Sequence, residues 1–189
     1  MKPYQKDIEN ALEVLKKGGI ILYPTDTIWG LGCDATNPEA VDKIYKIKNR
    51  SNTKSMLILL DSPNKLMDYV YVPSTAWELI KVTNHPLTVI YPEAKNLAPN
   101  LIAEDGSVGI RIVRDEFCRD LIRAFGKPIV STSANISGQP APANFSEISR
   151  EIKDSVDYIV RWRQKDYRRF RPSSVIKLEK NNEIFIIRK

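Results

Sequence analysis

Four stretches of this chain concentrate side chains able to do chemistry. Tyr23-Pro24-Thr25-Asp26-Thr27-Ile28-Trp29-Gly30-Leu31-Gly32 directly follows a short apolar run. Ligands of open α/β sheets sit beyond the carboxyl ends of strands, so a loop of hydroxyls and glycines there is a candidate site. The same residues also suit a capped turn in which Thr and Asp bond their own backbone. Lys48 and Arg50 stand at the end of a helical pattern, where cations complement the helix dipole. Alternatively they face a phosphate, Lys as a point charge and Arg as a bidentate fork. In Ser131-Thr132-Ser133-Ala134-Asn135-Ile136-Ser137-Gly138, five of eight residues carry a hydroxyl or amide, a density suited to binding a nucleotide or polar small molecule. Residues 161–171, RWRQKDYRRFR, hold six cations and one Asp interleaved with aromatics. That composition fits nucleic-acid contact, a solvated arm packed back on a sheet, or a cover over an anionic ligand.

Several chemistries are excluded. The chain has one histidine, His85, and two cysteines, Cys33 and Cys118, with no CxxC or HxxxH, so a Cys/His zinc site and a disulfide scaffold are ruled out. A histidine-based triad would have to pass through His85, which stands at a turn beside Pro86 and reads as structural. Both cysteines read as core fillers. Catalysis therefore falls to Lys, Arg, Ser, Thr, Asn or carboxylates, with a bound ion. The net charge of +6 is a moderate basic excess. The N-terminal stretch has no apolar h-region and the apolar runs are four or five residues long, so neither a signal peptide nor a membrane span is expected, and the setting expected is cytoplasmic with reduced thiols.

The elements that must position these groups follow from periodicity. Ile8, Ala11, Leu12 and Leu15 predict a helix over 5–17 that stops at Gly18-Gly19. Ile20–Tyr23 predicts a buried strand. Asn37-Pro38 starts a second helix carrying Val41, Ile44 and Tyr45. Met56–Leu60 predicts a strand, Ser62-Pro63 another helix, and 87–91 and 108–112 two more strands. Asp115 caps a helix that closes at Gly126, and Pro128–Val130 leads into the Ser/Asn loop. A weak helix is expected near 146–153, then strands at 157–161, 173–178 and 184–188. Helices alternating with buried strands imply an α/β sheet, and the strand-only tail predicts antiparallel additions. The length suits one domain, 1–189.

Taken together and in order, the polar stretches resemble the YrdC-like (TsaC-type) threonylcarbamoyl-AMP synthase family. Gly18-Gly19 and Tyr23–Thr27 resemble its GG…YPT[DE]T opening, and Lys48-Asn49-Arg50 its KxR. Pro86-Leu87-Thr88 is similar to the end of its PGPxT segment, and Val108-Gly109-Ile110-Arg111 to its VGxR strand. Ser133–Gly138 matches its SANxSG and Pro172–Ile176 its PSTV[IV], while Arg188 stands near the family's final strand arginine. The resemblance spans about 18–188. Ser51, Ser55 and Val113 stand where the family usually has Pro, and 161–171 replaces an Asp-Gly-Gly-type turn.

This resemblance implies a single α/β domain, a twisted mixed parallel/antiparallel sheet with flanking helices around a deep basic cavity. It implies a nucleotidyltransferase that joins L-threonine, bicarbonate and ATP into threonylcarbamoyl-AMP, releasing pyrophosphate, with Mg²⁺ accompanying ATP and no protein-held metal. Charge neutralisation and alignment, not an enzyme nucleophile, would carry that chemistry. By resemblance Lys48 and Arg50 hold the ATP phosphates and are the catalytic pair. Ser107, Ser133, Asn135 and Arg188 also contact the nucleotide, while Thr25, Arg111 and Ser173 bind threonine. The implied partners are the proteins that transfer threonylcarbamoyl to tRNA, with a tRNA or double-stranded RNA contact. The rival readings are a YciO-like paralogue and an RNA-binding module of this fold without synthase activity.

Overall fold

Ile8, Ala11 and Leu15 recur at helical spacing and are buried along α1 (Gln5–Lys16) of the computed structural model, which describes residues 2–49 and 56–189. The helix ends where Gly18 takes φ 70°, and the Gly18 and Gly19 amides return to the Leu15 and Val14 carbonyls. α2 (Pro38–Ile47) begins at Asn37, whose side chain accepts from the Glu39 and Ala40 amides. α3 spans Ser74–Val82. α4 (Glu116–Phe125) is capped by Asp115 on the Cys118 amide and ends at Gly126, φ 76°. α5 is short, Arg150–Asp154.

The strands are β1 (Ile21–Tyr23), β2 (Gly30–Gly32), β3 (Leu57–Leu60), β4 (Leu87–Tyr91), β5 (Val108–Ile112), β6 (Ile129–Ser133), β7 (Tyr158–Ile159), β8 (Ser174–Leu178) and β9 (Ile184–Arg188). Among the described residues they form one sheet of order β7-β1-β2-β6-β3-β5-β4-β8-β9. The β1/β7, β3/β5 and β4/β8 pairs are parallel and the others antiparallel, so the sheet is mixed, as expected.

Three local expectations are corrected. The tail is not wholly antiparallel: β7 and β8 each add parallel to an earlier strand, and only β9 adds antiparallel. The segment after Ser62 is a 3₁₀ helix, Pro63–Asp68. Residues 146–153 divide into a 3₁₀ turn at Phe145–Glu147 and α5.

Register does most of the work of assembling a site. Arg111 on β5 pairs with Thr88 on β4, Thr88 with Val175 on β8, and Val175 with Arg188 on β9. These residues therefore lie in one row across the sheet. A register shift between Val175 and Ile176 brings Arg188 opposite Val175, the kind of irregularity that re-aims a side chain. Alternation does the rest: Gly109 and Arg111 face a cavity, while Val108 and Ile110 are buried in the core. Behind the sheet, α1 packs on α4 through Tyr4 and Phe117, whose rings meet edge to face at 5.4 Å.

Candidate active site

The cavity has a volume of about 310 Å³, at the small end of the range for small-molecule sites. Its lining includes six hydroxyl side chains, Thr27, Thr88, Ser131, Thr132, Ser133 and Ser173, and two guanidinium groups, Arg111 and Arg188. No carboxylate is among its described lining residues, so the wall is cationic. Gly109 keeps its floor low, since a Cβ there would stand 3.4 Å from both Leu57 and Thr88.

Arg111 is 3% exposed, and its Nε donates to Asp26 Oδ1 at 3.0 Å. Its Nη2 reaches the Thr25 hydroxyl at 3.5 Å. Burial lifts the Asp26 carboxyl above its usual range, against the opposing pull of Arg111. Arg188 donates through Nε and Nη2 to the Ser173 carbonyl at 3.0 and 2.8 Å. Burial first, and then the nearby Arg111 charge, lower its pKa. Two guanidinium groups on the wall of one cavity favour an anion beside them. The Ser173 hydroxyl shares a 2.7 Å hydrogen bond with Thr88 Oγ1.

Lys48 closes α2 and is buried, and its Nζ donates to the Ser133 and Asn135 carbonyls at 2.6 Å each. Its own carbonyl accepts from the Ser137 amide. The cation at the helix end therefore ties α2 to the 133–138 loop. Asn135 donates from Nδ2 to the Ile136 and Gln139 carbonyls, which leaves its Oδ1 buried with no hydrogen-bond partner among the described residues. A buried acceptor left open beside a polar cavity is where a ligand N–H or O–H is expected.

The structure thus brings Ser133, Arg111, Ser173 and Arg188 together on one cavity, with Lys48 and Asn135 directly behind Ser133. Thr25 is 1% exposed and does not line the cavity; its hydroxyl donates to the Ile28 carbonyl and accepts from the Thr27 amide. Ser107 also stands apart from the lining, with its hydroxyl donating to Asp105 at 2.6 Å. Arg50, Ser51 and Ser55 lie outside the described residues. Asp26, Thr27, Ser131 and Thr132 lie in the stretches singled out from the sequence but were given no role of their own there, and Thr88 was noted only as the end of the PGPxT-like segment. The signal was present in Thr88, a polar residue inside the buried run LTVIY, and in the unbroken hydroxyls of β6.

The residues read as bystanders are so placed. Burial pushes the Cys33 and Cys118 thiols up, so neither is a thiolate at neutral pH. His85 is exposed and lines a small pocket with Ile80, Ile110 and Ile112 on the other face of the sheet. Among the described residues no cluster of three His, Cys, Asp or Glu could hold a metal, and no helix is long and apolar enough to cross a membrane.

Known proteins resemble this chain in sequence and fold. Residues 13–189 match the family model of Sua5, YciO and YrdC, which carries the description "Telomere recombination". The threonylcarbamoyl-AMP synthase of Pseudoalteromonas translucida is 32% identical over 160 residues, covering 82% of this chain and 86% of that protein. The threonylcarbamoyl-AMP synthase of Blochmanniella pennsylvanica is 35% identical over 160 residues, covering 82% of this chain and 79% of that protein. Among solved structures, E. coli YciO superposes with a TM-score of 0.86 at 27% identity, covering 100% of this chain and 91% of that one. P. abyssi Sua5 complexed with L-threonine superposes with a TM-score of 0.83 at 27% identity; it covers 94% of this chain, which spans about half, 52%, of the Sua5 chain. With the matched segment running from α1 to the last strand, the chain belongs to the Sua5/YciO/YrdC family.

Proposed function

We propose that this chain is an L-threonylcarbamoyladenylate synthase, a nucleotidyltransferase that converts L-threonine, bicarbonate and ATP into threonylcarbamoyl-AMP and pyrophosphate. The observation that carries the reading is the cationic cavity where the VGxR, SANxSG and PSTV-like segments meet, with Arg111 and Arg188 facing it and the Asn135 acceptor open behind it. The names of the curated relatives point the same way.

In this reading Arg111 takes the threonine carboxylate, for which a guanidinium is a matched bidentate partner. The Ser173 hydroxyl orients the amino acid, and Thr25 shapes the threonine site from behind through Arg111. The threonine nitrogen bonds to the carbon of bicarbonate, and water leaves. A carbamate oxygen then bonds to the α-phosphorus of ATP, and the bond to the β-phosphate bridging oxygen breaks, releasing pyrophosphate. No protein nucleophile is needed. The chain's part is to hold the reactants in line and neutralise charge as the leaving group departs. Arg188, Ser133, Asn135, Ser107 and the pair Lys48 and Arg50 are assigned to the nucleotide, with Asn135 Oδ1 accepting from it.

Among the described residues the cavity lining offers no carboxylate cage for Mg²⁺. ATP therefore enters as its Mg²⁺ complex, with the ion held by the nucleotide's own phosphates. The product supplies threonylcarbamoyl for an adenosine beside the anticodon of certain tRNAs, in the cytoplasm, through a separate transfer protein. An RNA-binding module is disfavoured by how much of the 161–171 charge is paired internally: Arg168 with Asp166, Arg169 with Glu147, and Arg163 with Asp115 and Asp166.

The test is pyrophosphate release on mixing the protein with Mg-ATP, bicarbonate and threonine. Release that stops when threonine is omitted, and that is lost in the Lys48→Ala, Arg50→Ala double variant, is expected. Release independent of threonine, or salt-sensitive RNA binding with no turnover, would overturn the reading.

A further inference from the structure

The basic stretch 161–171 is anchored at both ends and sets Arg163 on the Thr25-Asp26 loop, while Arg161, Lys165, Arg168, Arg169 and Arg171 are exposed. The Arg161 and Trp162 amides both donate to the Asp7 carboxylate at 2.9 Å, and the Trp162 ring packs against Tyr4 at 5.4 Å. At the other end the Phe170 amide donates to the Ala143 carbonyl at 3.0 Å. Between these anchors Arg163 takes φ 67°, left-handed backbone that favours glycine. Arg163 adopts that backbone with a long side chain, and its guanidinium has a defined place. Nη1 donates to the Thr25 carbonyl at 3.0 Å and lies 3.4 Å from Asp115 Oδ1. Nε is 3.7 Å from Asp166 Oδ2, and the Phe170 ring covers the group at 5.0 Å.

Thr25 and Asp26 are thereby gripped from two sides. Arg163 holds the Thr25 backbone from outside the cavity, while Arg111 holds the Thr25 hydroxyl and the Asp26 carboxylate from within it. Asp115, the Arg163 partner, also caps α4 at the Cys118 amide, and the Cys118 thiol donates to the Pro24 carbonyl at 3.3 Å. The loop position is thus set by the arm and α4, and the loop in turn sets Arg111.

We propose that Arg163 is a positioning residue for the amino-acid site. By fixing Thr25-Asp26 it holds Arg111 in the orientation that accepts the substrate carboxylate. This rests on the reading above that Arg111 binds threonine. It assigns the 161–171 arm a substrate-selective task, distinct from contact with RNA or ATP.

Arg163→Gly removes the guanidinium and places at φ 67° the residue type that suits that backbone. Threonine and ATP binding are measured by calorimetry on the full chain, with melting curves, for the wild type, Arg163→Gly and Arg163→Lys. The expected result is a threonine Kd about tenfold weaker in Arg163→Gly, the effect of one lost charge-assisted contact, with the ATP Kd within about twofold and the melting temperature within about 3 °C. Arg163→Lys, whose single ammonium still reaches the Thr25 carbonyl, recovers part of the threonine affinity. Unchanged threonine affinity in Arg163→Gly, or equal weakening of threonine and ATP, overturns the proposal. Should Arg163→Gly fail to fold, Arg163→Lys decides by the same threonine-to-ATP contrast. A wild type that binds no threonine fails the functional reading, and the proposal with it; a wild type that binds threonine beside an unaffected Arg163→Gly fails the proposal alone.

Discussion

Replacing Lys48 with Met keeps an apolar stem and removes an ammonium whose Nζ lies 2.6 Å from both the Ser133 and the Asn135 carbonyl oxygens. The two carbonyls are not equally exposed to the loss. Ser133 O still accepts from the Asn135 amide at 2.9 Å, whereas among the described residues no second hydrogen bond reaches Asn135 O. The change removes two charge-assisted hydrogen bonds, at about 1.5–3 kcal/mol each, against the relief of no longer burying the ammonium. A net loss of about 2 kcal/mol follows, and for a chain of this length that lowers the melting temperature by about 4–8 °C. The Ser137 amide still donates to the Lys48 carbonyl, so the loop stays attached and the variant folds. Thermal melts followed by circular dichroism read the first effect. The second is read with turnover assayed well below the melting transition: a fall of about a hundredfold or more is expected, since the loop carrying Ser133 and Asn135 is displaced and a cation beside the nucleotide is lost. A melting temperature within about 1 °C of wild type would refute the idea that Lys48 braces this loop. A lowered melting temperature with full turnover would refute its role in the reaction.

Other outcomes follow from particular contacts. Gly32→Ala places a Cβ 2.6 Å from the Tyr23 ring and 3.0 Å from the Val130 carbonyl that the Tyr23 hydroxyl binds, so overpacking of about 1–3 kcal/mol should lower the melting temperature by about 2–12 °C. Arg188→Gln removes a charge that Arg111 repels, so stability should hold or rise slightly while the KM for ATP rises about tenfold; an unchanged KM would separate Arg188 from the nucleotide. Asp166 is pulled down to about 2, chiefly by its hydrogen bonds from Arg168. Its folded-state pKa lies below its unfolded 3.8, so its contribution is present above that value and is lost as pH falls toward about 2. Asp166→Asn should therefore flatten the acid limb of the stability curve in that window, and urea melts between pH 2 and 5 would show an unchanged slope if this is wrong.

Much of the frame was legible because apolar spacing and capping agree along the chain. Strands 87–91, 108–112 and 184–188 fall where their apolar runs predict, and α4 begins and ends at its Asp115 and Gly126 signals. β2 was not legible: Gly30-Leu31-Gly32 reads as a loop, and it is a strand because it pairs with β1 and β6, where the missing side chain of Gly32 leaves room for the Tyr23 ring. α3 gave little warning, since it starts after Pro73 with no side-chain cap. The parallel placement of β7 and β8 depends on contacts with β1 and β4, which no local pattern encodes. At the site, hydroxyls and cations could be recognised as chemistry, but direction could not. Thr25 turns into its own loop and Thr27 faces the cavity, a difference set by the Ile28 carbonyl and Thr27 amide bonds. Lys48 and Arg188 reach backbone carbonyls supplied by residues far away in sequence.

The central claim is that the Arg111 and Arg188 cavity joins threonine, bicarbonate and ATP without a protein nucleophile. Mass spectrometry after incubation with Mg-ATP, L-threonine and ¹³C-bicarbonate tests it most directly. The account predicts threonylcarbamoyl-AMP carrying one ¹³C together with pyrophosphate, and loss of both in Arg111→Ala. Pyrophosphate without the labelled adduct, or the adduct formed at full yield by Arg111→Ala, would contradict it.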